Sequence, residues 1–250
     1  MKLIILAAGY ATRLYPLTLN RPKPLLLIAG KPMVDHVLKS LASISAIDHV
    51  YLVTNEKFAG HFEEWSINRD KSEFDIPVTV VNDHSTDDSN KLGAIGDLSL
   101  VINSQKIDDD VIVVAGDNLF SDDLGDYGRV CEESKIPVLG VYDVENVNES
   151  AKYGVVEISS EGNIITFEEK PAEPKSTLIG IALYYYPKNV LSLIEQYISD
   201  GNNPDQPGRL IQWLYPQMPV LTWRVPGAWY DIGSNETLEE ADSIFTEKLA

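Results

Sequence analysis

Short apolar segments alternate with segments of helical periodicity through the first 144 residues of the chain. The apolar segments predict buried strands, and they are Lys2–Leu6, His49–Thr54, Pro77–Val81, Asp110–Ala115 and Pro137–Val144. The segments that predict helices are Pro32–Ile44, Phe58–Trp65, a stretch from about Leu92 to Ile102, and Tyr127–Glu133. This alternation is typical of a mostly parallel sheet that is covered by helices on both faces.

The pattern changes after Val144. Tyr153–Ser159 and Ile164–Glu169 predict a β-hairpin around the turn residues 160–163. The remaining predicted elements are a strand at Thr177–Tyr186, a helix at Lys188–Ile198, a helix at Arg209–Tyr215, a strand at Val220–Val225, and a helix at Asn235–Leu249 capped by Ser234. We therefore predict an α/β fold: a single Rossmann-like three-layer domain with a mostly parallel mixed sheet and a β-hairpin lobe, spanning residues 1–250.

The formal net charge of −18 limits the partners of the chain. A nucleic acid or an anionic membrane is bound by clustered cations, so neither is expected as a partner. No segment approaches the roughly 18 apolar residues of a membrane span. The first apolar run is broken by Gly9 and Arg13, which does not fit a signal peptide, and we expect a cytoplasmic protein. The single cysteine, Cys131, excludes an internal disulfide and agrees with a reducing compartment.

The first 34 residues form a cationic segment in this acidic chain. They contain no Asp or Glu, and their basic residues are Lys2, Arg13, Arg21, Lys23 and Lys31. The strand Lys2–Leu6 leads into Ala7-Ala8-Gly9, whose small side chains allow another molecule to approach the backbone. Phosphate groups often bind in such a loop, so the segment indicates an anion site. The loop has neither a P-loop sequence nor the spaced glycines of a dinucleotide fingerprint.

Two carboxylates from distant parts of the chain are candidates for a metal site. Gly116-Asp117-Asn118 places Asp117 just beyond the carboxyl end of a buried strand, where open α/β sheets bind their ligands. Asp231 stands in Trp229-Tyr230-Asp231-Ile232-Gly233, framed by aromatic residues. Each segment alone is also compatible with a turn. Together they match the usual protein contribution to a Mg²⁺ ion, which keeps its other positions for water and phosphate oxygens.

Three segments near the start carry a resemblance to a known family. Leu6–Leu14 (LAAGYATRL), Pro22–Leu26 (PKPLL) and Gly30–Met33 (GKPM) resemble the signature of the sugar nucleotidyltransferases, also called NDP-sugar pyrophosphorylases, and in particular the glucose-1-phosphate thymidylyltransferase-like members. Later motifs follow in family order, so the resemblance extends to about Glu239. The family more often has Gly where Ala11 stands, a difference that matters if this residue adopts a positive φ.

The resemblance implies a role for each matching residue. Nucleotide contacts are expected from Leu6, Ala7, Ala8, Gly9, Thr12, Asn90, Gly93 and Asp117. Sugar contacts are expected from Tyr153, Gly154, Glu169, Lys170 and Gly180, and Mg²⁺ is expected on Asp117 and Asp231. The catalytic residues would be Arg13 and Lys23, which neutralise the triphosphate, and Lys170, which holds the sugar phosphate. Residues 1–120 would then bind the nucleotide, residues 121–233, with the hairpin lobe, the sugar, and 235–249 would form a C-terminal helix.

The implied reaction joins a nucleoside triphosphate and a sugar 1-phosphate, with dTTP or UTP and glucose 1-phosphate favoured, and releases pyrophosphate. A homo-oligomer is compatible with this assignment. Members of the family recognise a pyrimidine base with a Gln side chain. Residues 82–90 contain no Gln, so Asn82 or Asn90 is the candidate for the base contact instead. Two alternatives stay open: a CTP-dependent cytidylyltransferase acting on phosphocholine or another phosphomonoester, and a catalytically silent subunit that binds sugar nucleotides.

The loop Asn82–Asn90 contains no apolar residue. Because burial holds little of such a segment in place, we expect it to be mobile without nucleotide and to order over the base. Its carboxylates are expected to point outward or to contact the N–H edge of the base.

Overall fold

A nine-stranded mixed sheet forms the centre of the molecule in the computed structural model, which describes residues 1–249, with side chains up to residue 247. The strands in chain order, including four short ones outside this sheet, are β1 (Lys2–Leu6), β2 (Leu27–Ile28), β3 (Lys31–Pro32), β4 (His49–Thr54), β5 (Val78–Asn82), β6 (Val111–Ala115), β7 (Asn118–Phe120), β8 (Val138–Asp143), β9 (Gly154–Ile158), β10 (Ile164–Glu169), β11 (Leu178–Tyr186), β12 (Leu221–Arg224) and β13 (Trp229–Asp231). The helices are α1 (Met33–Ser40), α2 (Ala59–Asn68), α3 (Ala94–Ser104), α4 (Gly125–Ser134), α5 (Val147–Ser150), α6 (Leu191–Ser199), α7 (Gly208–Leu214) and α8 (Asn235–Leu249).

The first half of the chain builds a parallel sheet in the order β5-β4-β1-β6. Strand β11 continues this sheet in the antiparallel direction, pairing with β6 through its second half and with β9 near its start. On its other side β11 pairs with β8, and β8 pairs in parallel with β12. Strands β9 and β10 form the expected hairpin. The mostly parallel mixed sheet predicted from the sequence is confirmed.

Helices cover both faces of the sheet because its buried strands are apolar on both sides. In β1, Leu3 and Ile5 belong to the core under α1, α2 and α4, whereas Ile4 belongs to the core under α3, α6 and α7. Strands buried on both faces read as continuous apolar runs, as β1 and β6 do. The three-layer arrangement is therefore confirmed. Within the described residues, no helix is long and apolar enough to cross a membrane.

Helix α8 has the bounds predicted from the sequence. The Ser234 hydroxyl accepts a hydrogen bond from the Thr237 N–H at 3.3 Å, which is the expected N-terminal cap. The helix packs on a third core cluster, which includes Ile28, Leu119 and Phe245. It thereby covers β2 and the ribbon of β7 and β13.

Several predicted helix bounds were wrong; α2, for example, runs on to Asn68 instead of ending at Trp65. The first predicted helix ends at Ser40, and the residues up to Ile44 form successive turns with hydrogen bonds between residues three apart. Helix α3 begins at Ala94 because Gly93 has a φ of 80°, which a helix does not allow. The helix expected at Lys188–Ile198 is a short 3₁₀ segment followed by α6. The antiparallel pair of β7 and β13 was not predicted.

Candidate active site

The two predicted metal-binding carboxylates come together through a two-stranded ribbon. Strands β7 and β13 pair in antiparallel fashion, with Asp231 opposite Asn118. Asp117 directly precedes Asn118, so both carboxylates lie at the same end of the ribbon. The Asn118 amide fixes that end by donating a hydrogen bond to the carbonyl of Ala182 on β11 at 3.0 Å. The ribbon thus places Asp117 and Asp231 beside the carboxyl end of β6.

Lys23 lies between the two carboxylates. Its ammonium is 2.5 Å from Asp117 and 3.8 Å from Asp231, and the side chain is almost fully buried. A short 3₁₀ turn, Lys23–Leu25, carries this lysine. The neighbouring Pro24 packs against Gly116, where an added Cβ would be 3.1 Å from the proline ring. The absence of a side chain at Gly116 therefore lets the Lys23 turn lie against the strand end that carries Asp117.

The charges around Asp231 act in opposite directions on its pKa. Burial raises the pKa of the Asp231 carboxyl, and the negative charge of Asp117 raises it further. Lys23, Arg13 and the hydroxyl of Tyr153, which faces the carboxylate, oppose this rise. Burial and the Asp231 charge together raise the pKa of Tyr153 to about 12, so Tyr153 remains a neutral donor. The site therefore combines two anionic groups with two cations and one phenol.

Arg13 reaches this cluster from the loop after β1. Its guanidinium lies 3.9 Å from the position of an added Cβ at Gly233, next to the strand end that carries Asp231. A short 3₁₀ turn, Thr12–Leu14, carries Arg13. Ala11 precedes this turn in the left-handed conformation, with φ of 48° and ψ of 44°. The Thr18 hydroxyl donates to the Ala11 carbonyl at 2.8 Å and holds it there. The position thus does require a positive φ, which is the conformation that glycine adopts without strain.

Hydrogen bonds hold the loop Ala7–Ala11, which we call the nucleotide loop because the sequence predicts nucleotide contacts there. The Ala7 N–H donates to Val53, and the side-chain amide of Asn55, which is fully buried, donates to the Ala8 carbonyl at 2.9 Å. A Cβ added at Gly9 would meet no described atom within 4 Å. The backbone of the loop is therefore open to solvent at Gly9, next to the carboxyl end of β1. Asn55 was not among the predicted site residues, although an Asn directly after a buried strand is a usable signal.

The glycines predicted to line a sugar pocket have a packing role as well. Gly154 and Gly180 are opposite each other in the sheet. A Cβ at Gly154 would lie 2.2 Å from the ring of Phe167, and one at Gly180 would lie 3.1 Å from the same ring. A Cβ at Gly180 would also lie 2.9 Å from Leu139, so Phe167 and Leu139 fill the space that side chains at these two positions would need. Their contact with a sugar stays a prediction.

Glu169 and Lys170 lie at the end of β10, near Tyr153. The Lys170 N–H donates to the Tyr153 carbonyl at 3.0 Å, and Lys170 has a φ of 50° with its side chain exposed. Burial raises the pKa of Glu169, while the charges of Lys170 and Arg209 oppose the rise. The Glu169 carboxylate lies against Gly208 at the start of α7. Gly208 and Arg209 were not among the predicted site residues, because they belong to none of the sequence motifs.

The loop after β5 differs from the expectation. Asp83 and Ser85 are buried, and the Asp83 N–H donates to the Thr54 carbonyl at 2.8 Å. The idea that little burial holds this loop is therefore wrong for its first half, and Asp83 does not point outward. The amides of Asn82 and Asn90 bond within the loop or to Glu56. A base contact by Asn90 stays a prediction.

Gly93 closes this loop against another part of the chain. Its φ is 80°, and an added Cβ would lie 2.7 Å from the carbonyl oxygen of Pro204. Lys91 forms an ion pair with Asp205 at 2.9 Å in the same contact. Gly93 is thus required by its conformation and by the close approach of the segment before α7, and its predicted nucleotide contact is untested.

The donor set suits a magnesium ion that is held mainly by its substrate. Among residues 1–247, no three His, Cys, Asp or Glu side chains are grouped as a metal site. Asp117 and Asp231 nevertheless converge on one cation, the Lys23 ammonium. Magnesium is commonly bound through one or two carboxylates together with water and substrate phosphates. The two aspartates therefore fit Mg²⁺.

Comparison with known proteins assigns the family. The model of the nucleotidyl transferase family matches residues 2–248, which is nearly the whole chain. The chain belongs to this family. Membership confirms the resemblance drawn from the three sequence motifs.

Relatives of this nucleotidyl transferase chain include proteins of several lengths. The bifunctional protein GlmU of Methanocaldococcus jannaschii is 30% identical over 252 residues, but the chain spans only 55% of that protein. A glucose-1-phosphate thymidylyltransferase of Neisseria meningitidis is 29% identical over 98% of this chain and 82% of its own. A Bacillus anthracis crystal structure, provisionally named glucose-1-phosphate thymidylyltransferase, superposes with a TM-score of 0.84 at 27% identity, covering 99% of this chain and 96% of that one.

Proposed function

We propose that this chain transfers a nucleotidyl group from a nucleoside triphosphate to a sugar 1-phosphate. A phosphate oxygen of the sugar phosphate bonds to the α-phosphorus, the bond from that phosphorus to the bridging oxygen breaks, and pyrophosphate leaves. The nucleophile is already an anion, so the reaction needs no general base. The observation that carries the proposal is the convergence of Asp117 and Asp231 on Lys23, with the charge of Arg13 close enough to lower the pKa of Asp231.

Alignment and charge neutralisation are the main catalytic tasks in such a transfer. Arg13 offers a planar fork that can contact two phosphate oxygens, and Lys23 offers a point charge. Both lie next to the open backbone of the nucleotide loop, where a triphosphate can approach.

Asp117 and Asp231 are the residues that would hold magnesium. When bound, the ion supplies positive charge that polarises the α-phosphate. The Tyr153 phenol faces Asp231, and its raised pKa keeps it protonated, so it can donate to that carboxylate and orient it.

The acceptor is expected on the side of β10 and α7. Lys170 carries a positive charge next to Tyr153, which faces Asp231, and is suited to hold the phosphate of the sugar. The Glu169 carboxylate is partly buried and is suited to accept hydrogen bonds from sugar hydroxyls. Glucose 1-phosphate is the favoured acceptor and dTTP the favoured donor, followed by UTP. The similarity to the thymidylyltransferase of Neisseria meningitidis supports this choice.

A pyrophosphate-release panel tests the proposal. The full chain is incubated with Mg²⁺ and each of dTTP, UTP, CTP, ATP and GTP, crossed with glucose 1-phosphate, other sugar 1-phosphates and phosphocholine. We expect release only when a triphosphate and a sugar phosphate are both present, with dTTP and glucose 1-phosphate giving the highest kcat/KM. Release with CTP and phosphocholine alone would assign the chain to the cytidylyltransferase alternative. No release in any combination would favour a silent binding subunit.

A further inference from the structure

Two buried carboxyl groups face each other beneath the nucleotide loop. Asp97, in the first turn of α3, is 5% exposed, and its Oδ1 atom has no hydrogen-bond partner among the described residues. Asp83, at the end of β5, is 8% exposed and is the group whose charge and hydrogen bond act on Asp97. Two adjacent carboxylates cannot both stay ionised in a poorly solvated site, so one of them keeps a proton.

The hydrogen bonds around the pair decide which carboxyl is protonated. Asp83 accepts hydrogen bonds from the Ser85 N–H at 2.6 Å and from the Ser85 hydroxyl at 2.9 Å, and both stabilise its charged form. The Oδ1 atom of Asp97 receives no such bond. Burial first, and then the charge of Asp83, raise the pKa of Asp97 from 3.8 to about 8. Asp97 is therefore the protonated member at neutral pH.

The pair connects to the nucleotide loop by two routes. Ser85, which is bonded to Asp83, has its hydroxyl 3.4 Å from the hydroxyl of Tyr10, which lies within the nucleotide loop. Thr54, whose carbonyl accepts the Asp83 N–H, donates its hydroxyl to the Ala7 carbonyl at 3.3 Å. The position of Asp83 therefore affects the loop at both ends.

We propose that Asp97 is a positioning residue, which donates a hydrogen bond to the Asp83 carboxylate and so fixes the end of β5 against the nucleotide loop. The proposal rests on the proposed function, because that function assigns the loop to the nucleoside triphosphate. Ionisation of Asp97 removes the hydrogen bond and places two negative charges together. The affinity for the triphosphate then falls as the pH rises.

Few other titratable groups near Asp97 could produce the same pH dependence of triphosphate affinity. Titratable or charged residues on the elements against Asp97, apart from Asp83, are Lys2 on β1, His49 and Tyr51 on β4, Glu195 and Tyr197 on α6, and Lys91 and Asp205 at the loop contact. None of them contributes to the pKa shift of Asp97. Lys91 and Asp205 form an ion pair with each other.

The test is the pH dependence of kcat and of KM for dTTP between pH 6.5 and 9.5, with Mg²⁺ and glucose 1-phosphate saturating. If only the protonated form of Asp97 is competent, KM for dTTP rises about tenfold from pH 7 to pH 9. Asp97→Asn keeps a donor and cannot ionise, so its KM stays constant over that range. Identical pH profiles for the wild type and Asp97→Asn would overturn the proposal.

A second measurement does not need turnover. The ¹³C signal of the Asp97 carboxyl, assigned by its loss in Asp97→Asn, is expected to titrate near pH 8, and at a lower pH in Asp83→Asn, where burial still raises the pKa but the charge of Asp83 is gone. A midpoint below pH 5 in the wild type would overturn the shared proton even if the chain proves inactive. Inactivity with every triphosphate, combined with a midpoint near pH 8, would contradict the proposed function and leave the carboxyl pair confirmed, without its role in nucleotide binding.

Discussion

Two residues at opposite sides of the candidate site adopt the left-handed backbone conformation without being glycine. Ala11 has a φ of 48° in the nucleotide loop, and Lys170 has a φ of 50° at the end of β10. Such conformations cost free energy and persist where the surrounding structure fixes them. Here the Thr18 hydroxyl holds the Ala11 carbonyl, and the Tyr153 carbonyl holds the Lys170 N–H. Strain is thus present next to the two groups expected to bind phosphate.

Replacing Ala11 by Gly should stabilise the protein. Glycine removes a left-handed strain of about 1–2 kcal/mol but loses roughly 0.4–1 kcal/mol through the freedom of the unfolded chain. We expect the free energy of unfolding to rise by about 0.5–1 kcal/mol, measured by urea denaturation. Ala241→Gly, inside α8, is the control and should lower it by about 1 kcal/mol or more. A lower free energy of unfolding for Ala11→Gly would contradict the claim that the left-handed conformation of Ala11 is strained.

Asp117→Asn should lower kcat by about a hundredfold or more. The amide keeps the size of the side chain, so the melting temperature should change little, but it removes the negative charge that would bind Mg²⁺. Asp108→Asn, an exposed residue paired with Lys188, is the matched control and should keep its activity. Full activity of the wild type in excess EDTA would show that the two aspartates do not work through a divalent metal.

At the scale of elements, the sequence allowed the sheet to be predicted better than the site. Continuous apolar runs such as β1 and β6 are buried on both faces, and their period and turn residues are local signals. The ribbon of β7 and β13 has no such signal, because three-residue strands show no periodicity and their pairing joins distant segments. The proximity of Asp117 and Asp231 was therefore expected from family resemblance, and the reason for it is visible only in the fold.

The proximity of Asp83 and Asp97 also joins distant segments, so the sequence alone does not predict it. Asp97 lies one helical turn before the buried Val101, so the helical period of the sequence predicts that Asp97 lies on the buried side of α3. Its partner Asp83 lies at the end of another element, and the loop between them looked fully solvated. The burial of Asp83 and Ser85 depends on contacts with β4, which no local pattern encodes.

The contact between α7 and β10 yields a prediction for the acceptor. An added Cβ at Gly208 would lie 2.1 Å from the Glu169 carboxylate, so Gly208→Ala must displace that side chain. We expect KM for the sugar phosphate to rise about tenfold or more while KM for dTTP changes little. Gly60→Ala, in α2 with no described atom within 4 Å of the new Cβ, is the control. An unchanged KM for the sugar phosphate would remove Glu169 from acceptor binding.

At the scale of the whole molecule, the acidic net charge is compatible with the proposed anionic substrates because the basic residues of the site are concentrated in one segment. The chain has a net charge of −18, yet its first 34 residues have no acidic side chain, and they supply Arg13 and Lys23 to the site. Local cations act at short range, whereas distant surface charges are screened by salt. The expectation of small anionic substrates therefore agrees with the overall charge, which disfavours binding to nucleic acids.

The most direct test of the central claim is a ³¹P NMR time course of the full chain with Mg²⁺, dTTP and glucose 1-phosphate. The technique shows which phosphorus–oxygen bond breaks. The account predicts equal amounts of pyrophosphate and a sugar-linked diphosphate ester, formed by the wild type and not by Asp117→Asn. Formation of dTDP and inorganic phosphate, or a product that does not consume glucose 1-phosphate, would contradict it.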